Sequence, residues 1–184
     1  GYHSPRDKIS SMLAKGEIIR IRKGLYIRSS RYEGKVTPID LANVIYGPSY
    51  ISLETALSHY GLIPEQVKGV TSVTAKRKKK YSTPVGNFIY SHIPKKAFST
   101  GIILKKNKST RKLFACKEKA LCDTIAITSG IRTFRDLENF ILDDQRIDIE
   151  DIRAFSLDLL IQISEAYCLN SVRLFLHWCR KIWR

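Results

Sequence analysis

The chain is poor in the residues that mark several large functional classes. Its 184 residues hold 17 Asp+Glu against 32 Lys+Arg, with one Met, 6 Pro and 4 His. The histidines (His3, His59, His92, His177) show neither HExxH nor paired His/Cys spacing, which excludes the common zinc-site patterns. No Walker A sequence and no GxGxxG is present, so neither glycine-rich phosphate cradle is built. Cys116, Cys122, Cys168 and Cys179 lack CxxC spacing and make neither a zinc ribbon nor a thioredoxin-type redox pair. Because they stand in apolar stretches, they are expected as small buried thiols in a reducing, cytoplasmic setting. No apolar run approaches the ~20 residues that span a bilayer, and no signal-peptide pattern opens the chain. Neither a membrane partner nor a cofactor is expected.

Hydrophobic residues make up 43% of the chain, enough for a folded core, and the formal net charge is +15. That charge is unevenly placed. Residues 1–115 hold 22 Lys/Arg and 6 Asp/Glu, whereas residues 116–184 hold 10 and 11. A region facing a polyanion, joined to a neutral region with another task, fits this asymmetry; a basic surface kept for solubility is the alternative.

Ser4-Pro5-Arg6-Asp7 starts a helix: serine caps, proline suits the first helical position, and Asp7 complements the dipole. Ile9, Met12 and Leu13 form its narrow apolar stripe, and Gly16 ends it. Ile18–Arg22 and Leu25–Arg28 flank Lys23-Gly24 as a basic hairpin. A short polar helix followed by a basic hairpin is the order seen in the second half of a winged helix-turn-helix, although short helix-hairpin pairs are common. On that reading Arg6, Lys8, Ser10 and Ser11 lie near base edges, Lys15, Arg20, Arg22 and Lys23 contact phosphates, and Ser4 belongs to the same DNA-binding segment; a solvated helix face without a partner is the alternative.

Thr37-Pro38 begins a second helix that closes at Gly47-Pro48, and Ser52 is a plausible cap for a third over Leu53–Tyr60. Strands are expected at Val70–Thr74, Phe88–Ile93 and Gly101–Leu104. Between the first two lies a loop of five cations, Lys76, Arg77, Lys78, Lys79 and Lys80, followed by Tyr81. It reads as a phosphate site for operator DNA or RNA, with Tyr81 stacking on a base, or as a solvated loop. After Lys117 helices follow at about 118–128, 134–142, 149–154, 157–168 and 171–183, the last capped by Asn170. That last helix is apolar over a broad surface; core is the first reading, and a docking face for a toxin or second subunit is the other. Asp143, Asp144, Asp148, Glu150 and Asp151 cluster ahead of it as an acidic turn. Glu118 is expected to complement the start of its own helix. Glu33-Gly34-Lys35 matches a bare Glu-x-Lys nuclease element but reads better as a polar loop.

Several segments resemble AbiEi-type antitoxins. They are Gly16-Glu17-Ile18-Ile19-Arg20-Ile21-Arg22-Lys23-Gly24-Leu25-Tyr26, then Pro48-Ser49-Tyr50-Ile51-Ser52-Leu53-Glu54-Thr55-Ala56-Leu57, then Tyr60-Gly61-Leu62-Ile63-Pro64. Val73-Thr74-Ala75-Lys76-Arg77 and Lys117-Glu118-Lys119-Ala120-Leu121-Cys122-Asp123 continue in the same order. The resemblance implies a non-enzymatic antitoxin of an abortive-infection, phage-defence pair. Its winged helix would repress the operon by binding promoter DNA, and its C-terminal α/β domain would neutralise a nucleotidyltransferase-type toxin. The family carries one or two helices ahead of the recognition helix, while this chain opens at Gly1-Tyr2-His3, already inside the expected turn. Without them the Ile9, Met12, Leu13 stripe would be under-covered.

The expected architecture is therefore α/β (α+β). A partial or complete winged helix-turn-helix would occupy 1–48, and a mixed-sheet plus helical antitoxin domain 49–184. A stand-alone DNA- or RNA-binding regulator is the alternative function, and a metal-dependent nuclease a distant third.

Overall fold

A computed structural model describes residues 4–29, 36–65, 67–106 and 110–183. Helix α1 (Pro5–Ala14) starts as its sequence dictates, with the Asp7 N–H donating to Ser4 Oγ at 3.3 Å and Pro5 at the first helical position. None of its residues is fully buried; Ile9, Met12 and Leu13 are only half-covered. The chain then forms the hairpin of β1 (Ile18–Arg22) and β2 (Leu25–Arg28), turning at Lys23-Gly24. Gly24 sits at φ +78°, which a side chain would resist. The residues of the Glu33-Gly34-Lys35 element lie outside the described residues.

Helix α2 (Pro38–Ile45) is begun by Asp40, whose carboxylate accepts from the Thr37 N–H at 2.9 Å and its hydroxyl at 2.7 Å. It packs on a six-stranded sheet: Tyr90 donates to Ala42 O at 2.6 Å, and Asn43 bridges Ser49 O and the Leu113 N–H. The strands are β3 (Ser49–Ile51), β4 (Val70–Thr74), β5 (Lys79–Thr83), β6 (Gly86–His92), β7 (Ile102–Lys106) and β8 (Arg111–Ala115). They stand in the order β5-β6-β4-β3-β8-β7. The β3–β8 and β4–β6 pairs are parallel and the other three antiparallel, so the sheet is mixed.

Strands β3, β5 and β8 escape the sequence pattern. β3 has three residues, all buried, and so shows no alternation. β5 corrects the reading of 76–80 as a loop throughout: Lys79 and Lys80 belong to an edge strand paired with Tyr90 and Ile89. Lysines on an edge strand deter pairing with a foreign chain, which gives that charge a second reason to be there.

Helix α3 (Leu53–His59) follows β3, and α4 (Lys117–Ile127) follows β8. Helix α5 (Phe134–Glu138) runs into a π-helical turn over Asn139–Asp144. Helices α6 (Ile149–Arg153), α7 (Leu157–Tyr167) and α8 (Asn170–Ile182) complete the chain. Two capping expectations are corrected. Ser52 does not cap α3, because its hydroxyl is drawn inward to Asp123 at 2.6 Å. Asn170 is the first residue of α8, with Leu169 ahead of it at the cap position. Glu118 stands in the first turn of α4, where its charge complements that helix's dipole as expected, and it also reaches across to the start of α7, accepting from the Ser156 N–H at 3.0 Å. Helix α8 buries Val172, Phe175, Leu176, Trp178 and Cys179, in agreement with the core reading, while Arg173, His177 and Arg180 stay exposed. Among the described residues no helix is long and apolar enough to cross a membrane.

The cysteines divide. Cys122 and Cys179 are buried and Cys116 half-buried, but Cys168, expected inside, is exposed at the left-handed C-cap of α7. Burial pushes the Cys116 and Cys179 thiols up to about 12. A thiol reagent at pH 8 should therefore modify Cys168 first in the native protein and all four in denaturant. Equal native rates for Cys168 and Cys122 in mass-spectrometric mapping would contradict this burial pattern.

Candidate nucleic-acid interface

Helix α2 ends at Ile45 with Tyr46, Gly47 and Pro48 after it, so the carbonyls of this turn need donors from elsewhere in the fold. Two cations supply them. Arg22 Nε donates to Ile45 O at 2.8 Å, and Lys76 Nζ donates to Gly47 O at 2.6 Å. Positive charge at a helix C-terminus also complements the dipole. Tyr46 holds the other side of the turn, its hydroxyl donating to Arg77 O at 3.1 Å, and His92 Nδ1 lies 2.9 Å from Lys76 O. The hairpin and the basic turn, far apart in sequence, thus meet at one end of one helix.

Aromatic rings back this charge. Tyr46, Tyr81 and Tyr90 form a cluster with centroids 5.2–6.0 Å apart, and Lys76 Nζ lies 5.8 Å from the Tyr46 centroid. Beside it a basin of about 820 Å3 is lined by Tyr46, Ala75, Lys76, Arg77, Lys78 and His92. A second hollow of about 370 Å3 shares Lys78 and adds Lys79, Lys80 and Ile89. Cations beside aromatic faces suit a phosphate backbone carrying bases.

The other candidates expected from the sequence take different places. Ser4 serves as the α1 cap, Arg6, Lys8 and Ser10 are exposed on that helix and Lys15 at its C-cap, while Ser11 is half-buried. Arg20 is exposed on β1, and Lys23 is exposed in the turn. Arg22 has a structural duty as well as charge, since its guanidinium ties the hairpin to α2. Tyr46 and His92 join the site without a sign in the sequence; a lone tyrosine before Gly-Pro and a histidine at a strand end carry no signal until the turn folds onto them. Among the described residues no group of three or more His, Cys, Asp or Glu is placed to hold a metal ion.

A second cationic centre lies toward the opposite edge of the sheet. Lys105 Nζ is 4.5 Å from the Tyr60 centroid, 4.4 Å from that of Phe114, and 2.5 Å from His59 Nε2. Burial, with the ammonium groups of Lys105 and Lys112 nearby, holds His59 below its ordinary pKa of 6.5. Such a histidine takes its proton more readily in the unfolded chain, so stability falls as pH drops through 6.5 toward the folded-state value. The urea midpoint is expected to decline between about pH 7.5 and 5.5, and His59→Gln to flatten that decline. Parallel curves for parent and variant would remove His59 as its source.

The interior holds a third polar group. Asp123 is fully buried and accepts from Tyr50 at 2.8 Å, from Ser52 at 2.6 Å and from the Tyr167 hydroxyl, and it pairs with Lys119 at 3.0 Å. Lys119, also fully buried, donates to Ala97 O at 2.7 Å and lies 4.2 Å from the Tyr167 centroid. Burial and the Asp123 charge push the Tyr50 and Tyr167 phenols far above their usual range, so both stay protonated as donors. The group joins β3, α4, α7 and the 3-10 turn Lys95–Ala97 with every partner satisfied. Its geometry is that of a staple. No protein-family model matches this chain, and no curated protein matches it.

Proposed function

We propose that this chain is the antitoxin of an abortive-infection toxin–antitoxin pair, binding promoter DNA to repress its own operon and neutralising a nucleotidyltransferase-type toxin. In this reading α1 is the recognition helix and the β1–β2 hairpin the wing of a winged helix, one in the major groove and the other on phosphates. The observation that carries the DNA half is the meeting of two basic segments at the C-terminal end of α2, where Arg22 and Lys76 take neighbouring carbonyls. Their meeting extends the cationic surface from the wing to Lys80. The toxin half is supported by the motif resemblance, notably Lys117-Glu118-Lys119-Ala120-Leu121-Cys122-Asp123.

Fluorescence anisotropy tests the first half, with labelled promoter DNA and a scrambled duplex at about 50 and 200 mM salt. Promoter-selective binding is expected, with Arg6→Ala and Lys8→Ala cutting selectivity while leaving the salt dependence nearly intact. Equal weak binding to both duplexes would reduce the module to a basic surface. The second half is tested by inducing the neighbouring toxin gene with and without this chain. Growth arrest that persists alongside normal promoter binding would mean that this chain does not neutralise that toxin, leaving it a regulator alone.

A further inference from the structure

The end of α2 opposite the basic turn borders a pocket of about 560 Å3 that the nucleic-acid reading does not use. Four segments distant in sequence converge on it: the start of α2 at Thr37, α3, the approach to β4 at Gly69, and the β5–β6 turn at Gly86. Hydrogen bonds beneath it hold its shape. Thr55 Oγ1 on α3 accepts from the Thr71 N–H at 2.8 Å, and Thr71 Oγ1 donates to Ser52 O at 2.8 Å, so α3 and β4 cannot slide apart cheaply. A pocket between about 300 and 1,000 Å3 is large enough to bury most of a small organic molecule.

Its chemistry says which kind of molecule. The walls are apolar, formed by Pro38, Ile39, Val67 and Val70. The polar groups are Ser58, His59, Lys68 and Asn87, and each has a donor that no described residue takes up. The Asn87 Oδ1 already accepts from the Ser82 hydroxyl at 2.8 Å, which leaves its amide N–H groups to donate. An ammonium can only donate, so Lys105 Nζ at 2.5 Å makes His59 Nε2 the acceptor and puts the proton of the neutral ring on Nδ1. Lys68 is exposed and has no carboxylate partner among the described residues. Among the described lining residues there is no Asp or Glu. A cationic ligand would find nothing to neutralise it there, and a wholly apolar one would cover donors without pairing them. We infer that this pocket binds a small organic anion, its apolar body against Pro38, Ile39, Val67 and Val70 and its carboxylate, sulfonate or phosphate group on Lys68 and the neighbouring donors. The pocket shares no residue with the Tyr46–His92 basin, so its ligand stands apart from DNA binding.

Fluorescence titration of the full chain tests this with two probes that share an aromatic body and differ in charge, anilinonaphthalenesulfonate and the uncharged N-phenylnaphthylamine. Saturable one-site binding of the sulfonate is expected, with the uncharged probe about tenfold weaker or more. Lys68→Glu should weaken the sulfonate about tenfold or more and change the uncharged probe little. Ser58→Phe, which sets a ring in the pocket, should abolish binding of both. Lys68 is exposed and Ser58 half-buried, so both variants are expected to melt with the parent; should Ser58→Phe melt early, Lys68→Glu carries the test. The variant Lys78→Gln, Lys79→Gln, Lys80→Gln should bind the sulfonate as the parent does. The inference is overturned by no saturable signal at about 1 mM sulfonate, by equal affinity for the two probes, or by sulfonate binding that Lys68→Glu leaves unchanged. It is overturned as well if the triple variant loses the probe, which would put the anion on the nucleic-acid surface.

Discussion

Asp123→Ala is expected to cost about 3–5 kcal/mol of folding stability, a large fraction of what a domain of this size has. Removing the carboxylate leaves the Lys119 ammonium fully buried, with a single carbonyl, Ala97 O, still accepting from it. It also strips the hydroxyls of Tyr50, Ser52 and Tyr167 of their common acceptor. An unsatisfied buried donor costs roughly 1–3 kcal/mol, and an unpaired buried charge more. The double variant Lys119→Met, Asp123→Asn should lose less than the single one, because no lone charge remains and the amide oxygen still accepts. Urea unfolding of the parent and the two variants checks both expectations. A loss under ~1 kcal/mol for Asp123→Ala, or a larger loss for the double variant, would show that the staple is not what holds α4 to β3 and α7.

Lys78→Gln, Lys79→Gln, Lys80→Gln is expected to weaken promoter binding by roughly 10^2–10^3-fold near 0.1 M salt. Each phosphate contact contributes a slope of about 0.9 in the logarithm of affinity against that of salt concentration, so three lost contacts flatten it by about 2.7. Selectivity for promoter over scrambled DNA should survive, since phosphate contacts carry no base information. Folding should be unaffected, as all three side chains are exposed and none holds the turn as Lys76 does. Anisotropy titrations across a salt series measure the slope directly. An unchanged slope would return these lysines to the edge-protection role and confine DNA contact to α1 and the hairpin.

Much of the fold is written in local chemistry. The cap–proline start of α1, the Lys23-Gly24 turn, β4 and five of the helical stretches are legible within a residue or two, because caps, glycines and short-range periodicity act over one or two turns of chain. Length, charge asymmetry and the absence of nucleotide and metal motifs are likewise complete in the sequence.

Other features depend on contacts from far along the chain. Ser52 looks like a cap until Asp123, many residues later, offers a carboxylate to its hydroxyl. Arg22 looks like a free phosphate ligand until α2 presents the Ile45 carbonyl. Lys79 and Lys80 read as loop because an edge strand bonded on one side needs no apolar alternation. Cys168 sits in an apolar run yet faces water, because the left-handed turn after α7 points it outward. The sequence by itself determined the elements and the sign and location of the charge, since propensity and composition are local. Which cations share a surface and which carboxylate is buried were decided only by the tertiary structure. Those properties depend on which distant groups meet with their hydrogen bonds and charges satisfied.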